Sequence, residues 1–238
     1  RRSSSAASDV YKRQIKGRTI IAEAPTGLGK TAASLASALA AMKQSENVKK
    51  ILFLTGRQSQ HKIVIDTVRK LNDNRKDHPN VAIVDLIGRE SMCGKLTIDR
   101  QCFCEEGVSE KARGGRRSQL KRWILEWPRH VEETVKNGRI EGTCPYMCCI
   151  EAAREAEIIV MDYNHVFVES VSDSSLPSMS IDVGSSIVIV DEAHNLPDRI
   201  KMGLEMRLTS KTVKAARFEL EEHQDCLLYT SPSPRDTG

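Results

Sequence analysis

The residues best suited to chemistry form a short glycine-containing segment near the start of the chain. It reads Ala24-Pro25-Thr26-Gly27-Leu28-Gly29-Lys30-Thr31. Glycines allow a tight turn whose N–H groups face a phosphate, so the pattern is typical of a nucleotide-binding P-loop. We expect Lys30 to meet the β and γ phosphates and the Thr31 hydroxyl to bind Mg²⁺. Because Ala24 stands where the general pattern has glycine, the simpler alternative is a glycine turn that enters an ordinary helix.

A second chemical motif, Asp191-Glu192-Ala193-His194, follows the apolar run IVIV that ends at Val190. Alone, an acidic pair after a strand is usually a solvated turn. When such a pair follows a phosphate-binding loop in the sequence and belongs to the same sheet, one carboxylate can hold Mg²⁺ and its neighbour can deprotonate an attacking water. The two motifs together predict a site of nucleotide hydrolysis.

The chain has seven cysteines, and most of them cluster in its middle. Four of them surround one polar segment and could supply the thiolates of an iron–sulfur cluster or a structural zinc: Cys93, Cys102, Cys104 and Cys144. Spacing alone leaves iron and zinc both open, and the single residue between Cys102 and Cys104 makes joint ligation tight. Cys148 and Cys149 are expected to be buried neutral side chains, although Cys148 is an alternative to Cys102 or Cys104.

Apolar runs predict the elements that position these motifs. Strands are expected over residues 19–24, 51–54, 81–87, 158–161 and 187–190, and helices over 30–43, 63–71, 120–136, 145–156 and, as a beginning, 204–222. The Ser-rich stretch 170–186 is predicted to be a loop. Continuous apolar strands that alternate with helices predict an α/β fold with a parallel sheet covered on both faces.

Composition sets further bounds. The 36 Lys+Arg against 32 Asp+Glu give a net charge of +4, which by itself is no evidence for nucleic-acid binding. No apolar run approaches the length that crosses a bilayer, so a membrane-spanning class is excluded.

The two ends of the sequence, residues 1–14 and 226–238, are expected to be non-native. The stretches SSAASDVYKRQ and CLLYTSPSPRD match the two translated strands of a transposase adapter used to prepare sequencing libraries. Natural disordered tails are the alternative, because the Ser, Pro and Arg content would also fit them. We therefore expect residues 15–225 to be the native remnant of a longer protein.

The motifs together resemble superfamily 2 helicases of the XPD type, which include the bacterial DinG proteins. The resemblance is carried by AxTGxGKT, by DEAHNL, by TGRQSQ over residues 55–60, by Cys-Pro-Tyr over residues 144–146 and by EAAREAEIIVMDYNHVF after it. It implies a RecA-like P-loop motor domain in two parts, residues 15–87 and 146–200. A [4Fe-4S] insertion would occupy residues 88–145, and a truncated Arch-type insertion would begin at 201–225.

The resemblance also implies site roles. Lys30 and Thr31 would bind ATP and Mg²⁺, Asp191 would be a metal ligand, Glu192 the general base, and His194 would couple the ATP site to DNA. Backbone contacts to single-stranded DNA are implied for the residues after the second predicted strand: Thr55, Arg57, Gln58 and Ser59. In the family, the cysteine set named above holds the [4Fe-4S] cluster.

The segment 111–122 carries six cations and no acid, among them Arg116 and Arg117. Such a run is usually a solvated face, but in an insertion next to forked DNA a phosphate-tracking role is about as plausible.

The implied function is an ATP-dependent DNA helicase that moves 5′ to 3′ on single-stranded DNA in DNA repair, with this fragment inactive alone. The expected compartment is the cytoplasm of a prokaryote or the nucleus of a eukaryote. Two alternatives stay open: a DEAH-type RNA helicase, and a non-hydrolysing nucleotide and DNA-binding module with structural zinc.

Overall fold

The structure is a computed structural model that describes residues 19–23, 25, 28–75, 78–93, 104–205, 214 and 217–218. The two presumed adapter segments lie outside these residues, as do Ala24, Thr26, Gly27 and Cys102. The chain divides into two compact units, Arg1–Gly203 and Leu204–Gly238. The elements that bear on the site belong to the first unit.

A parallel sheet forms the centre of the first unit. Its strands are β1 (Lys50–Leu54), β2 (Ile83–Asp85), β3 (Ile158–Met161) and β4 (Ser186–Val190). They lie in the order β2-β3-β1-β4, and every neighbouring pair is parallel. The described strands therefore all end at one edge of the sheet, which we name the carboxyl edge.

Helices precede, connect and follow the strands. In chain order they are α1 (Lys30–Gln44), α2 (Gln58–Asp73), α3 (Arg89–Met92), α4 (Glu110–Glu126), α5 (Val131–Glu141), α6 (Pro145–Ala153), α7 (Asn164–Phe167), α8 (Glu169–Ser178) and α9 (Leu196–Leu204). Short 3₁₀ turns occupy Val183–Ser185 and Ala193–Asn195. Within the described part of the chain, every helix is too short or too polar to cross a lipid bilayer.

The sheet lies between two apolar layers, which bury β1, β2 and β3 fully and leave β4 half-buried. On one face, Ile51 and Phe53 of β1 share a core with α1 and α2. On the other face, Leu52 and Leu54 pack in a core that includes Leu120 of α4 together with α6. Side chains of a strand alternate between faces, and both faces here are covered, which explains the continuous apolar runs. The predicted α/β class with a parallel sheet is confirmed.

The strand predicted over residues 19–24 is wrong for the residues that the structure describes. Residues 19–23 have no regular structure, and the side chain of Ile21 is 96% exposed. A β-branched run has a strand propensity, but it becomes a strand only when a neighbouring strand accepts its hydrogen bonds.

The single helix predicted over residues 120–136 is instead two helices, α4 and α5. Proline has no backbone N–H and disfavours helical geometry in the residue before it. Accordingly Trp127, just before Pro128, is extended at φ −149° and ψ 143°. The next helix, α5, begins with a capping box, in which the backbone N–H of His130 donates to Glu133 Oε2 over 2.7 Å.

The loop predicted over residues 170–186 is wrong for its first half, which forms α8. Serine usually competes with helical hydrogen bonding. In α8 the hydroxyls of Ser172 and Ser178 donate to the carbonyls of Glu169 and Ser175 three residues earlier, so their polar groups are satisfied inside the helix.

Lys50 joins the sheet to the end of α6. Its buried ammonium donates to the carbonyls of Ala153, Arg154 and Ala156 at 3.0, 2.7 and 2.6 Å. These carbonyls lie where α6 ends, and helix ends leave carbonyls without intrahelical partners. Burial lowers the pKa of Lys50, and the nearby carboxylates Glu155 and Glu157 oppose that shift.

We expect Lys50→Met to lower the free energy of unfolding by about 2–4 kcal/mol, because three carbonyls would lose a charged donor. Urea denaturation of the chain measures this change. The matched control is Lys49→Met, since Lys49 is the exposed neighbour. Equal denaturation midpoints for the two variants would contradict a role for Lys50 as the cap of α6.

Candidate active site

The carboxyl edge gathers the polar residues that follow the strands. Thr55 follows β1, and its backbone N–H donates to the carbonyl of Met161 at the end of β3 over 3.0 Å. Asp191 follows β4, and its N–H donates to the carbonyl of Leu54 over 2.9 Å. Because the strands are parallel and in register, residues far apart in sequence become neighbours at this edge.

The described end of the phosphate-binding segment forms the start of α1. Gly29 lies before the helix in the left-handed region, at φ 71° and ψ 32°, where glycine carries no steric penalty. Lys30 and Thr31 are the first two residues of α1, whose N–H groups there have no intrahelical partner. The N-terminus of a helix favours the binding of a phosphate, and these residues form the N-terminus of α1.

The acidic pair is influenced by the charge of Lys30. Burial raises the pKa of the Asp191 carboxyl, as does the charge of Glu192, and the positive charge of Lys30 opposes that shift. A partly desolvated carboxylate between a second carboxylate and a lysine is suited to binding a divalent cation beside a phosphate.

Glu192 adopts an uncommon backbone conformation. Its φ of 50° and ψ of 47° lie in the left-handed region, which a non-glycine residue adopts at a cost. The Nδ1 atom of His194, an exposed side chain, lies 3.3 Å from Glu192 Oε2. The Glu192 carboxylate therefore lies beside His194.

A polar cavity of about 160 Å³ at the carboxyl edge lies between the residues that follow β1 and those that follow β4. It is lined by Thr55, Gly56, Arg57, Gln60, Tyr163, Glu192, Asn195 and Arg199. The side chains of Arg57, Gln58 and Ser59, at the start of α2, are exposed, whereas Thr55 is buried. Two of the predicted DNA-contacting residues, Thr55 and Arg57, and the predicted general base Glu192 thus line one cavity.

Sequence reasoning missed two residues of this cavity, Tyr163 and Arg199. The hydroxyl of Tyr163 donates to the backbone carbonyl of Asp191, and the guanidinium of Arg199 donates to the carbonyl of Gly56 over 3.5 Å. Tyr163 directly follows Asp162 at the end of β3, and that position could have drawn attention to it. No comparable pattern marked Arg199.

Of the four predicted cluster ligands, the structure brings two together. The sulfurs of Cys93 and Cys104 are 3.3 Å apart, and Cys144 is a buried residue at the start of α6. Among the described residues, no group of three or more His, Cys, Asp or Glu side chains could hold a metal ion. A [4Fe-4S] cluster needs four protein ligands. The described residues therefore fit part of such a site, and Cys102 lies outside them.

Cys148 and Cys149 are buried in α6, as expected. Burial raises the pKa of Cys148 to about 12 and that of Cys149 well above its usual value. A thiol must lose its proton to bind a metal. Burial in α6 is consistent with the predicted packing role of both thiols.

Glu105 organises the backbone around the cysteines. Arg117 donates from Nε to Glu105 Oε1 over 2.9 Å, and the Thr143 hydroxyl donates to the same oxygen over 2.7 Å. The backbone N–H of Cys144 also donates to it, over 3.2 Å. Burial opposes these contacts, yet together they lower the pKa of Glu105 to about 2, so the carboxylate stays ionised.

The cation run on α4 contributes to this network. Arg117 also reaches Glu151 at 3.4 Å, and Lys121 donates to Glu155 over 2.8 Å. The exposed Arg116 donates to the carbonyl of Gly142 over 3.3 Å. Arg117 therefore has a structural role beside the predicted DNA role, which stays a prediction for both arginines.

Comparison with known proteins gives consistent matches. The DEAD_2 family model matches residues 53–213, and the DEAD/DEAH box helicase model matches residues 4–96. The ATP-dependent DNA helicase XPD of Sulfolobus acidocaldarius is 25% identical over 199 residues, which cover 81% of this chain and 32% of that protein. The ATP-dependent DNA helicase CHL1 of Vanderwaltozyma polyspora is 34% identical over 96 residues, covering 40% of this chain and 10% of the relative.

The chain thus spans about a third or less of the length of these curated relatives. Among solved structures, the chain described as truncated XPD superposes with a TM-score of 0.59 at 24% identity. That match covers 88% of this chain and 58% of the other, and it establishes a shared fold.

We expect Glu105→Gln to lower the free energy of unfolding of the reduced chain by about 2–3 kcal/mol, since the charged hydrogen bonds to Arg117 would be lost. Urea denaturation measures the effect. Glu106→Gln is the matched control, because Glu106 is the exposed neighbour and should change stability by under about 0.5 kcal/mol. A Glu105 variant as stable as this control would argue against the network.

Proposed function

The chain belongs to the DEAD_2 family of XPD-like superfamily 2 helicases, and from this premise we propose that the whole protein is an ATP-dependent DNA helicase. One observation carries the proposal: Gly29 lies in the left-handed region directly before α1, so Lys30 and Thr31 begin a helix whose unpaired N–H groups suit a phosphate. A helix terminus of this kind with a lysine, and an acidic pair at the end of a strand of the same unit, are the groups that ATP hydrolysis requires.

ATP would bind with its phosphates at the start of α1. Residues 24–31 would enclose the β and γ phosphates with backbone N–H groups, and Lys30 would neutralise part of their charge. Thr31 and Asp191 would hold Mg²⁺, which when bound would compensate the phosphate charge. The half-buried Asp191 beside a lysine supports this assignment.

Glu192 would act as the general base. It would accept a proton from the water that attacks the γ phosphate in line with the leaving oxygen of ADP. Its left-handed backbone and its contact with His194 support a fixed orientation of the carboxylate. His194 would couple the ATP site to the residues that bind DNA.

Single-stranded DNA would cross the carboxyl edge beside α2. Thr55, Arg57, Gln58 and Ser59 would contact its sugar–phosphate backbone, and exposure of the last three supports this role. Arg116 and Arg117 would extend the phosphate contacts along the insertion. Movement from 5′ to 3′ and a role in DNA repair follow from the family resemblance.

We also propose that the fold is a RecA-like motor domain interrupted by an insertion over residues 88–145 that holds a [4Fe-4S] cluster. Its ligands would be Cys93, Cys102, Cys104 and Cys144. The contact between Cys93 and Cys104 supports part of this set. A structural zinc in a non-hydrolysing module is the second candidate, because the same thiolates suit zinc.

Lys30→Ala in the full-length protein should reduce DNA-stimulated ATP hydrolysis by at least about a hundredfold, because the transferred phosphate would lose a positive charge. Phosphate release measured with and without oligothymidylate checks this. Lys43→Ala, an exposed lysine near the end of the same helix, should leave the rate unchanged. Retained hydrolysis in the Lys30 variant would favour the non-hydrolysing module.

The full-length protein, purified without oxygen, should contain about four iron atoms and absorb broadly near ~400 nm. Cys144→Ser should remove most of the iron and the colour, whereas Cys149→Ala should keep both. Metal analysis and absorption spectra give the readout. Stoichiometric zinc without visible absorption would overturn the cluster and support the structural zinc.

A further inference from the structure

We propose that Tyr163 is a positioning residue. It would couple the loop after β1, residues 55–57, which we name the DNA-contacting loop, to the hydrolytic pair Asp191-Glu192. The inference rests on the proposed function and deepens it, because it names the physical link between strand binding and ATP hydrolysis. The link is a direct contact of one buried side chain with both segments.

The position of Tyr163 makes this contact possible. It directly follows Asp162 at the end of β3, while the DNA-contacting loop follows β1 and the acidic pair follows β4. In the sheet, β1 lies between β3 and β4. A side chain from the end of β3 must therefore pass over the end of β1 to reach β4, and tyrosine is long enough to do so.

The hydroxyl of Tyr163 meets the hydrolytic pair through the backbone. It donates to the carbonyl of Asp191 and lies 3.4 Å from the carbonyl of Glu192. These two peptide groups flank the left-handed backbone of Glu192. A shift of the tyrosine would therefore turn the peptide that orients the Glu192 carboxylate.

The ring of Tyr163 meets the DNA-contacting loop at Gly56. A β-carbon placed on Gly56 would lie only 3.1 Å from Cε2 of Tyr163, so the glycine backbone packs directly on the ring. On the side of α9, the same β-carbon would lie 3.4 Å from a guanidinium nitrogen of Arg199. Gly56 is thus held between Tyr163 and Arg199, next to the exposed Arg57.

Burial makes the contact stiff. Tyr163 is 1% exposed and belongs to the core that covers one face of the sheet. Its ring cannot turn without disturbing packed neighbours, because protein interiors are close-packed. When a DNA phosphate draws Arg57 and the loop into place, the displacement of Gly56 passes to the ring and from its hydroxyl to the Asp191 carbonyl.

The test is Tyr163→Phe in the full-length protein, which keeps the ring and removes only the hydroxyl. Two quantities are measured: the factor by which saturating oligothymidylate stimulates ATP hydrolysis, and the oligothymidylate concentration that gives half of the effect. Removing one hydrogen bond of this kind should lower the stimulation factor about tenfold, with half-saturation within about threefold of the unaltered protein.

Tyr146→Phe is the matched control, because Tyr146 contacts Arg89 and lies outside the cavity. It should keep the unaltered stimulation factor. If Tyr163→Phe does not fold, Gly56→Ala disturbs the same contact from the loop side and should also lower stimulation.

The outcomes distinguish a failure of the proposed function from a failure of the coupling role of Tyr163. If the unaltered protein shows no stimulation by oligothymidylate, the proposed function fails and the coupling role fails with it. If the unaltered protein is stimulated and folded Tyr163→Phe is stimulated equally, the coupling role alone is overturned. A parallel loss of stimulation and DNA affinity would also overturn it, since that pattern indicates general damage to the loop.

Discussion

The parallel sheet, buried on both faces, is the constraint on which the rest of this structure depends. Apolar layers on each side leave no room for polar chemistry along the strands themselves. Polar side chains can therefore gather only where the strands end, and the described strands all end at the same edge. The candidate nucleotide site and the candidate DNA loop are neighbours for this reason, although β1 and β4 are more than a hundred residues apart in sequence.

Features fixed by local patterns could be predicted from the sequence. Apolar runs located β1, β3 and β4 to within a residue or two, because strands buried on both faces need continuous apolar side chains. The glycine before Lys30 and the alanines after it located the start of α1. The chemical roles predicted for Lys30 and for the acidic pair rest on their residue types and stay predictions.

Features that depend on contacts formed only in the folded chain could not be predicted. The serines of α8 suggested a loop, since their bonds to nearby carbonyls become visible only in the folded helix. The β-branched run at residues 19–23 suggested a strand, although no strand of the described sheet pairs with it. Tyr163 and Arg199 carry no local pattern, because their importance comes from reaching across the sheet to other segments.

The register of the sheet has a consequence for how the chain folds. The neighbours of β1 are β3 and β4, so its first partner, Ile158 opposite Ile51, is made about a hundred residues later. At the usual pace of synthesis, about 5–20 residues per second, β1 is made roughly 5–20 s before either of its neighbours in the described sheet. In that interval α1 and α2 can cover one face of β1, while α4 and α6 must dock before the other face is protected. Both α4 and α6 precede β3 in the chain, so they can cover this face of β1 before its partner strands are synthesised.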